Sequence, residues 1–261
     1  MILRERQDRI INALRSTGAA SVRELAEALD VSEATIRRDL QVLDSNGELT
    51  RTYGGAVLRA GHVVDEHGSE GDRERPFEFG EDEQRAEKKK MAVAAAAMIH
   101  DDSVVILDIG TTTALVAREL RGRNVTVITS NLAVFDELRD DTSVRLVLLG
   151  GVVRRNYRTL VGSLTELALT QVSADYLFLS CTGVRGNGHV VDNMAVEAPI
   201  KQSMIAAADK VVLLASEAKF PGTGALRLCS LTDVDVLITT ENAPEETLAL
   251  CRNAGGEVTI V

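Results

Sequence analysis

From residue 85 onward the sequence is a train of short apolar runs, each separated from the next by a segment of helix length. The runs fall at residues 104–108, 125–129, 144–149, 176–179, 211–215 and 234–239. Helical stretches are read at 87–99, 113–120, 132–138, 164–171, 195–208 and 244–254. A strand buried on both faces reads as a continuous apolar run, because neither side needs polar residues. Such strands alternating with helices predict an α/β domain: a mostly parallel sheet covered on both faces. In sheets of that type ligands bind outside the carboxyl ends of the strands, near helix N-termini.

The first 58 residues follow a different pattern. Residues 2–16 read as a charged helix with Ile10, Ile11 and Leu14 on its apolar side, ended by Gly18. Ser21-Val22-Arg23-Glu24 has the spacing of a capping box and opens a short helix through Leu29, with Leu25 and Leu29 inward. Ser32 is a good N-cap for a third helix. Ile36, Leu40 and Leu43 then fall at i, i+4 and i+7, so one stripe faces a core. Thr35, Arg37, Arg38 and Gln41 are turned away from it. Gly47 suits the C-terminal cap, and residues 48–57 form two β-prone arms around Tyr53-Gly54-Gly55-Ala56. Three helices and a hairpin make a winged helix-turn-helix. Arg presents a rigid fork of donors, which suits phosphates and guanine edges.

A net charge of −10 sits poorly with DNA binding until its distribution is considered. Residues 1–60 are net neutral, residues 61–84 carry −7, and residues 85–261 carry −3. Most of the excess acid lies in one short Gly-containing segment that has too few apolar residues to bury a core, so 59–84 reads as a linker. Two domains, 1–58 and 85–261, are therefore expected on either side of the linker 59–84. No apolar run reaches transmembrane length, and the start Met-Ile-Leu-Arg-Glu-Arg has no signal-peptide core, so a cytoplasmic protein without membrane attachment is expected. Cys181, Cys229 and Cys251 have neither metal-ligand spacing nor a disulfide framework. No cofactor is expected.

With these residues in view, 1–58 resembles the N-terminal domain of the DeoR family of bacterial transcriptional regulators. The matching pieces are Glu5-Arg6, Glu24-Leu25-Ala26, Val31-Ser32, Thr35-Ile36-Arg37-Arg38-Asp39-Leu40 and Gly54-Gly55-Ala56. The candidate DNA-contacting set is Ser21, Ser32, Thr35, Arg37, Arg38, Gln41 and Arg51, with a double-stranded operator as partner.

Four strand ends in the second domain are rich in small polar residues. Asp108-Ile109-Gly110-Thr111-Thr112-Thr113 has the character of a phosphate cradle: a glycine for close backbone approach, hydroxyl donors, and a helix N-terminus. A plain capped helix start is the alternative there. Thr129-Ser130-Asn131 reads first as an N-cap. Ser180-Cys181-Thr182-Gly183-Val184 has a glycine that leaves room for a ligand. Lys219, just past a buried strand, is placed to meet an anion. Glu197 and Lys201 are four apart on one helix, the spacing of an ordinary surface ion pair first and of a site pair second.

Residues 85–261 in turn resemble the sensor domain of the same family through Glu87-Lys88, Asp108-x-Gly110-Thr111-Thr112-Thr113, Leu149-Gly150-Gly151, Gly183, Glu197 with Lys201, and Lys219-Phe220. That domain is similar in fold to ribose-5-phosphate isomerase. The resemblance implies a phosphorylated sugar effector, with phosphate on Gly110, Thr111, Thr112 and Thr113. Its remaining contacts are implied among Asp108, Ser130, Asn131, Gly183, Glu197, Lys201 and Lys219. It also implies a homo-oligomer, dimer or tetramer, that represses a sugar operon. The rival reading is an isomerase fused to a DNA-binding domain. Isomerisation needs a positioned general base and an enediolate-stabilising group, and the 180–184 strand end carries no carboxylate, which favours a sensor without catalytic residues.

Overall fold

The computed structural model describes residues 6, 7, 9, 10, 19–29, 31–45, 49–52, 55–58 and 85–261. The extent of the first helix, Gly18, Gly47, the Tyr53-Gly54 turn, the linker 59–84 and the side chain of Arg51 lie outside that set. The chain divides into two units, Met1–Glu70 and Gly71–Val261, and each is described by itself.

In the first unit Arg6, Gln7, Arg9 and Ile10 are helical. They are followed by β1 (Ala19–Ser21), α1 (Val22–Leu29), α2 (Glu33–Ser45), β2 (Leu49–Thr52) and β3 (Gly55–Leu58). The sheet order is β1-β3-β2, antiparallel throughout. The wing therefore has a third strand, which the sequence reading omitted because Ala19-Ala20-Ser21 has no apolar alternation. Gly55 makes that pairing possible: a Cβ there would lie 2.3 Å from the Ala20 carbonyl oxygen. Ile36, Leu40 and Leu43 are buried with Ile10, Leu25 and Leu49, as the helical spacing predicted, while Leu29 is only half-buried.

The second unit begins with α3 (Arg85–Ala97) and continues β4 (Val104–Leu107), α4 (Thr111–Glu119), β5 (Thr126–Thr129), α5 (Leu132–Leu138), β6 (Arg145–Leu148). A hairpin of β7 (Val152–Arg154) and β8 (Thr159–Val161) leads into α6 (Ser163–Leu169) and β9 (Ala174–Leu179). Then come β10 (Gly183–Val184), β11 (His189–Asp192), α7 (Ala198–Ala206), β12 (Ala208–Leu214), β13 (Leu226–Ser230), β14 (Val236–Thr239), α8 (Glu245–Asn253) and β15 (Glu257–Ile260).

Seven strands form one sheet in the order β15-β14-β12-β9-β4-β5-β6, with every pair parallel. Alternate residues of the apolar runs face opposite ways. Val105, Leu107, Val127, Phe178, Val212 and Leu214 pack on Met91, Ala92, Ala95, Val116, Val134 and Leu138 from α3, α4 and α5. Ile106, Ile128, Leu177, Leu179, Val211 and Leu213 pack on Leu169, Ile200, Met204, Leu248 and Cys251 from α6, α7 and α8. The sheet is doubly covered, as its continuous apolar strands require.

The short antiparallel pieces were not foreseen. β10, β11 and β13 form a separate three-stranded sheet, and β7–β8 a two-stranded one. They lack a continuous apolar run, since each covers only part of a surface. Edge strand β15 was also missed: Glu257-Val258-Thr259-Ile260 alternates instead of running apolar.

Strand order sets where a ligand goes. From β4 the chain steps outward to β5 and β6, then crosses back to β9 and steps outward the other way through β12, β14 and β15. The winding direction reverses between β4 and β9, and their carboxyl ends flank the crevice that such a reversal opens.

Candidate functional site

The end of β4 carries Asp108 and the end of β9 leads to Ser180, so both stand at the switch point. Asp108 is buried. Its Oδ2 accepts from the Ser180 N–H at 2.9 Å, the Ser180 hydroxyl at 2.8 Å and Lys201 Nζ at 2.5 Å. Lys201 Nζ also donates to the Ser180 carbonyl at 3.0 Å and lies 3.6 Å from Asp192 Oδ2. Asp192 Oδ1 accepts from the N–H groups of Asn193 and Met194, which fixes the carboxylate. Burial works against the ammonium, but the Asp108 and Asp192 carboxylates outweigh it and hold the Lys201 pKa above its ordinary value.

Glu197 and Lys201 are each 1% exposed and do not form the surface pair their spacing suggested. Lys201 crosses to β4. Glu197 instead accepts from Arg154 Nη1 at 2.8 Å, and that guanidinium lies over the Tyr157 ring, 4.3 Å from its centroid. Burial pushes the Glu197 carboxyl up to about 7, against the lowering effect of Arg154.

The loop after β4 departs from the capped-helix alternative. Gly110 stands at the N-cap of α4 with φ 131°, and no side chain caps that end. Thr111 and Thr112 are half-buried in the first turn. The buried Thr113 hydroxyl donates to the Gly110 carbonyl at 2.9 Å. Asn131 is 0% exposed and is occupied by structure: its Oδ1 accepts from the Ala133 N–H as the N-cap of α5. Its Nδ2 donates to the carbonyls of Asp108 at 3.2 Å and Gly110 at 3.3 Å. Asn131 thus holds the β4–α4 loop against the start of α5. Five buried side-chain polar atoms have no partner among the described residues: Gln7 Nε2, Glu87 Oε2, Asp108 Oδ1, Ser130 Oγ and Thr239 Oγ1. Asp108 Oδ1 and Ser130 Oγ stand one at each of the adjacent ends of β4 and β5.

Gly183 also has a structural reason. A Cβ at 183 would lie 2.4 Å from Gly222 Cα, so glycine is required there by backbone packed against backbone. Lys219 is half-buried in the 3-10 turn Glu217–Lys219 after β12. It forms no ion pair among the described residues, and its charge acts on the Cys181 thiol, which burial pushes up to about 11. All three cysteines are free and buried.

Sequence reasoning missed Ser180, Asp192 and Arg154. The 180–184 loop has no carboxylate, as read, yet Asp108, Asp192 and Glu197 reach the same region from β4, β11 and the start of α7.

In the first unit the capping box is present: Glu24 N donates to Ser21 Oγ at 3.2 Å, and Ser21 N to Glu24 Oε2 at 2.8 Å. Ser32 Oγ accepts from the Thr35 N–H at 3.2 Å and meets the Thr35 hydroxyl at 2.9 Å. Ser21, Ser32 and Thr35 thus first serve to start helices. Arg37, Arg38 and Gln41 are exposed on α2. Arg37 Nη2 donates to Glu33 Oε2 at 2.7 Å, whereas Arg38 has no ion pair among the described residues. Arg51 lies on β2 of the wing. An unforeseen contact joins the helices: Arg6 grips the buried Asp39 with two hydrogen bonds, Nε–Oδ2 at 2.5 Å and Nη2–Oδ1 at 3.1 Å. Asp39 neighbours the Ile36–Leu40 stripe, which is the signal that could have found it.

A winged helix-turn-helix with arginines on the outer side of its third helix, followed by an α/β unit with a polar cluster at its switch point, defines a two-part DNA-binding transcriptional regulator. Residues 6–60 match the DeoR-like helix-turn-helix domain and residues 83–241 the DeoR C terminal sensor domain. The chain belongs to the DeoR family. It is 32% identical to the HTH-type transcriptional repressor CsqR of Escherichia coli K12, over 92% of this chain and 88% of that one. It is 30% identical to the HTH-type transcriptional regulator GolR of Listeria innocua over 98% of each. It is 28% identical to the L-fucose operon activator of Haemophilus influenzae, over 94% of this chain and 95% of that one. Among solved structures, ribose 5-phosphate isomerase A from Methanocaldococcus jannaschii aligns with TM-score 0.39 at 19% identity, over 52% of this chain and 54% of the isomerase, about half its length. Among the described residues no helix is long and apolar enough to cross a membrane.

Proposed function

We propose that this regulator acts as a cytoplasmic homo-oligomer that represses a carbohydrate operon and changes its operator affinity when a phosphorylated sugar occupies the crevice between β4 and β9. The observation that carries the reading is the pair of unpartnered buried acceptors, Asp108 Oδ1 and Ser130 Oγ, beside the uncapped N-terminus of α4. A helix N-terminus favours an anion. A buried oxygen without a partner is costly unless a ligand supplies a hydrogen bond. A molecule with a phosphate at one end and hydroxyl donors at the other satisfies both. Phosphate would lie on Thr111 and Thr112, with the sugar hydroxyls toward Asp108 and Ser130. Lys219 stands at the same end of the sheet. Relatives named for a fucose operon support a carbohydrate theme.

The exposed aliphatics Val152, Val153, Leu164 and Leu167 support self-association, because single domains seldom leave several large apolar side chains in water together. Arg37, Arg38 and Gln41, exposed on α2, are proposed DNA contacts, and Arg51 is proposed with them from its place on β2 of the wing. The carboxylates nearest the crevice are held by Lys201 and Arg154, which supports a sensing role over proton transfer.

A thermal-shift screen of the full chain against a panel of sugar phosphates, with inorganic phosphate and the unphosphorylated sugars as controls, tests the effector reading. At least one sugar phosphate is expected to raise Tm in a concentration-dependent way. Thr112→Glu places a carboxylate on the anion position and is expected to abolish that rise. A variant that responds like the wild type places the pocket elsewhere, and an isomerase assay on the same compounds separates sensor from enzyme.

A further inference from the structure

We infer that Glu33 is a specificity-determining residue of the DNA-reading helix, acting with Arg37 as one unit that matches the major-groove edge of a G·C pair. The inference rests on the proposed role of Arg37 in DNA contact. Glu33 is the first residue of α2, and its position is fixed by the Ser32 cap one residue earlier. Its carboxylate accepts from Arg37 at 2.7 Å, with side chains 47% and 58% exposed. Any duplex within reach of Arg37 is therefore also within reach of a carboxylate. An acid facing a polyanion is unfavourable unless the partner offers it a donor.

The two adjacent guanidiniums are consequently not equivalent. Arg38 has no ion pair among the described residues and is free to neutralise a phosphate. Arg37 has its charge offset by Glu33. An exposed i,i+4 pair contributes only a few tenths of a kcal/mol, about 0.2–0.5, so it is too weak to exist for stability and weak enough to exchange. On random duplex the offset charge gains little counterion release. On a G·C pair the chemistry changes. Guanine presents the O6 and N7 acceptors that a guanidinium fork meets, and cytosine presents the N4 donor that a carboxylate accepts. The Arg37–Glu33 pair carries a donor fork and an acceptor side by side, the complement of that edge.

The test uses the full chain. Duplexes are selected in vitro from a random pool, and affinities for the selected and a random duplex are measured across a salt series. Glu33→Gln is expected to tighten binding to random duplex and to steepen its log–log salt slope by about 0.9, the value for one more phosphate neutralised. The selected-to-random ratio is expected to fall about tenfold, within the discrimination of one base contact. Arg37→Ala is expected to lose about tenfold or more on the selected duplex. If Arg37→Ala weakens selected binding while Glu33→Gln leaves slope and ratio unchanged, the Glu33 inference is overturned and the role of Arg37 stands. If Arg37→Ala binds both duplexes like the wild type, the role of Arg37 fails and the inference with it.

Discussion

Lys201→Met is expected to destabilise the second unit by about 3–5 kcal/mol, the usual cost of removing one partner from a buried ion pair. Methionine is close to lysine in volume, so little of this loss comes from a cavity. The loss arises because Asp108 and Asp192 are left without their ammonium partner in a site where both Asp108 and Lys201 are 1% exposed. Coulomb attraction at 2.5 Å to Asp108 and hydrogen bonds to Ser180 are what offset desolvation of all three groups. The measurement is urea unfolding followed by circular dichroism. Adding Asp108→Asn to Lys201→Met is expected to recover part of the loss, since it removes one of the two carboxyl groups left without their partner. If the double variant is less stable than Lys201→Met, packing and not charge holds this region together.

The stability of the protein should also depend on the protonation of Glu197. Its carboxyl is raised from the ordinary 4.5 to about 7 by burial. Between those values the native carboxyl holds a proton that the unfolded chain has released. The corresponding stability is full below about pH 4.5 and is lost as pH rises through about 7. Glu197→Gln cannot titrate. Between pH 5.5 and pH 8 the stability difference between wild type and Glu197→Gln is expected to move in favour of the variant by on the order of 2 kcal/mol. Parallel stability–pH curves for the two proteins would show that Glu197 is already ionised against Arg154 throughout this range.

The parts of the molecule legible in the sequence are those whose cause is local. Apolar runs of four to six residues became central strands because burial on both faces leaves a one-dimensional trace. The Ser21–Glu24 box, the Ser32 cap and the Ile36–Leu40–Leu43 stripe were readable because a helix turns sequence spacing into direction. What failed depends on distant pairing. The spacing of Glu197 and Lys201 is the same whether they meet each other or, as here, reach Arg154 and Asp108 instead. Asn131 was recognisable as polar and near a strand end. That its amide is consumed by the β4–α4 loop follows only from β5 lying beside β4. Gly183 reads as spare room until Gly222 is brought against it from 39 residues away, and Arg6 gives no hint of Asp39 without the fold that apposes them.

The most direct test of the account is the affinity of the full chain for its selected duplex, measured by fluorescence anisotropy with and without a saturating amount of a sugar phosphate that raises Tm. Linkage between the effector crevice and the DNA-reading unit predicts a change in Kd of about 5–150-fold, the range typical of allosteric coupling. An unchanged Kd under saturation would show that the second unit binds its ligand without informing the first, and the proposed regulation would be wrong.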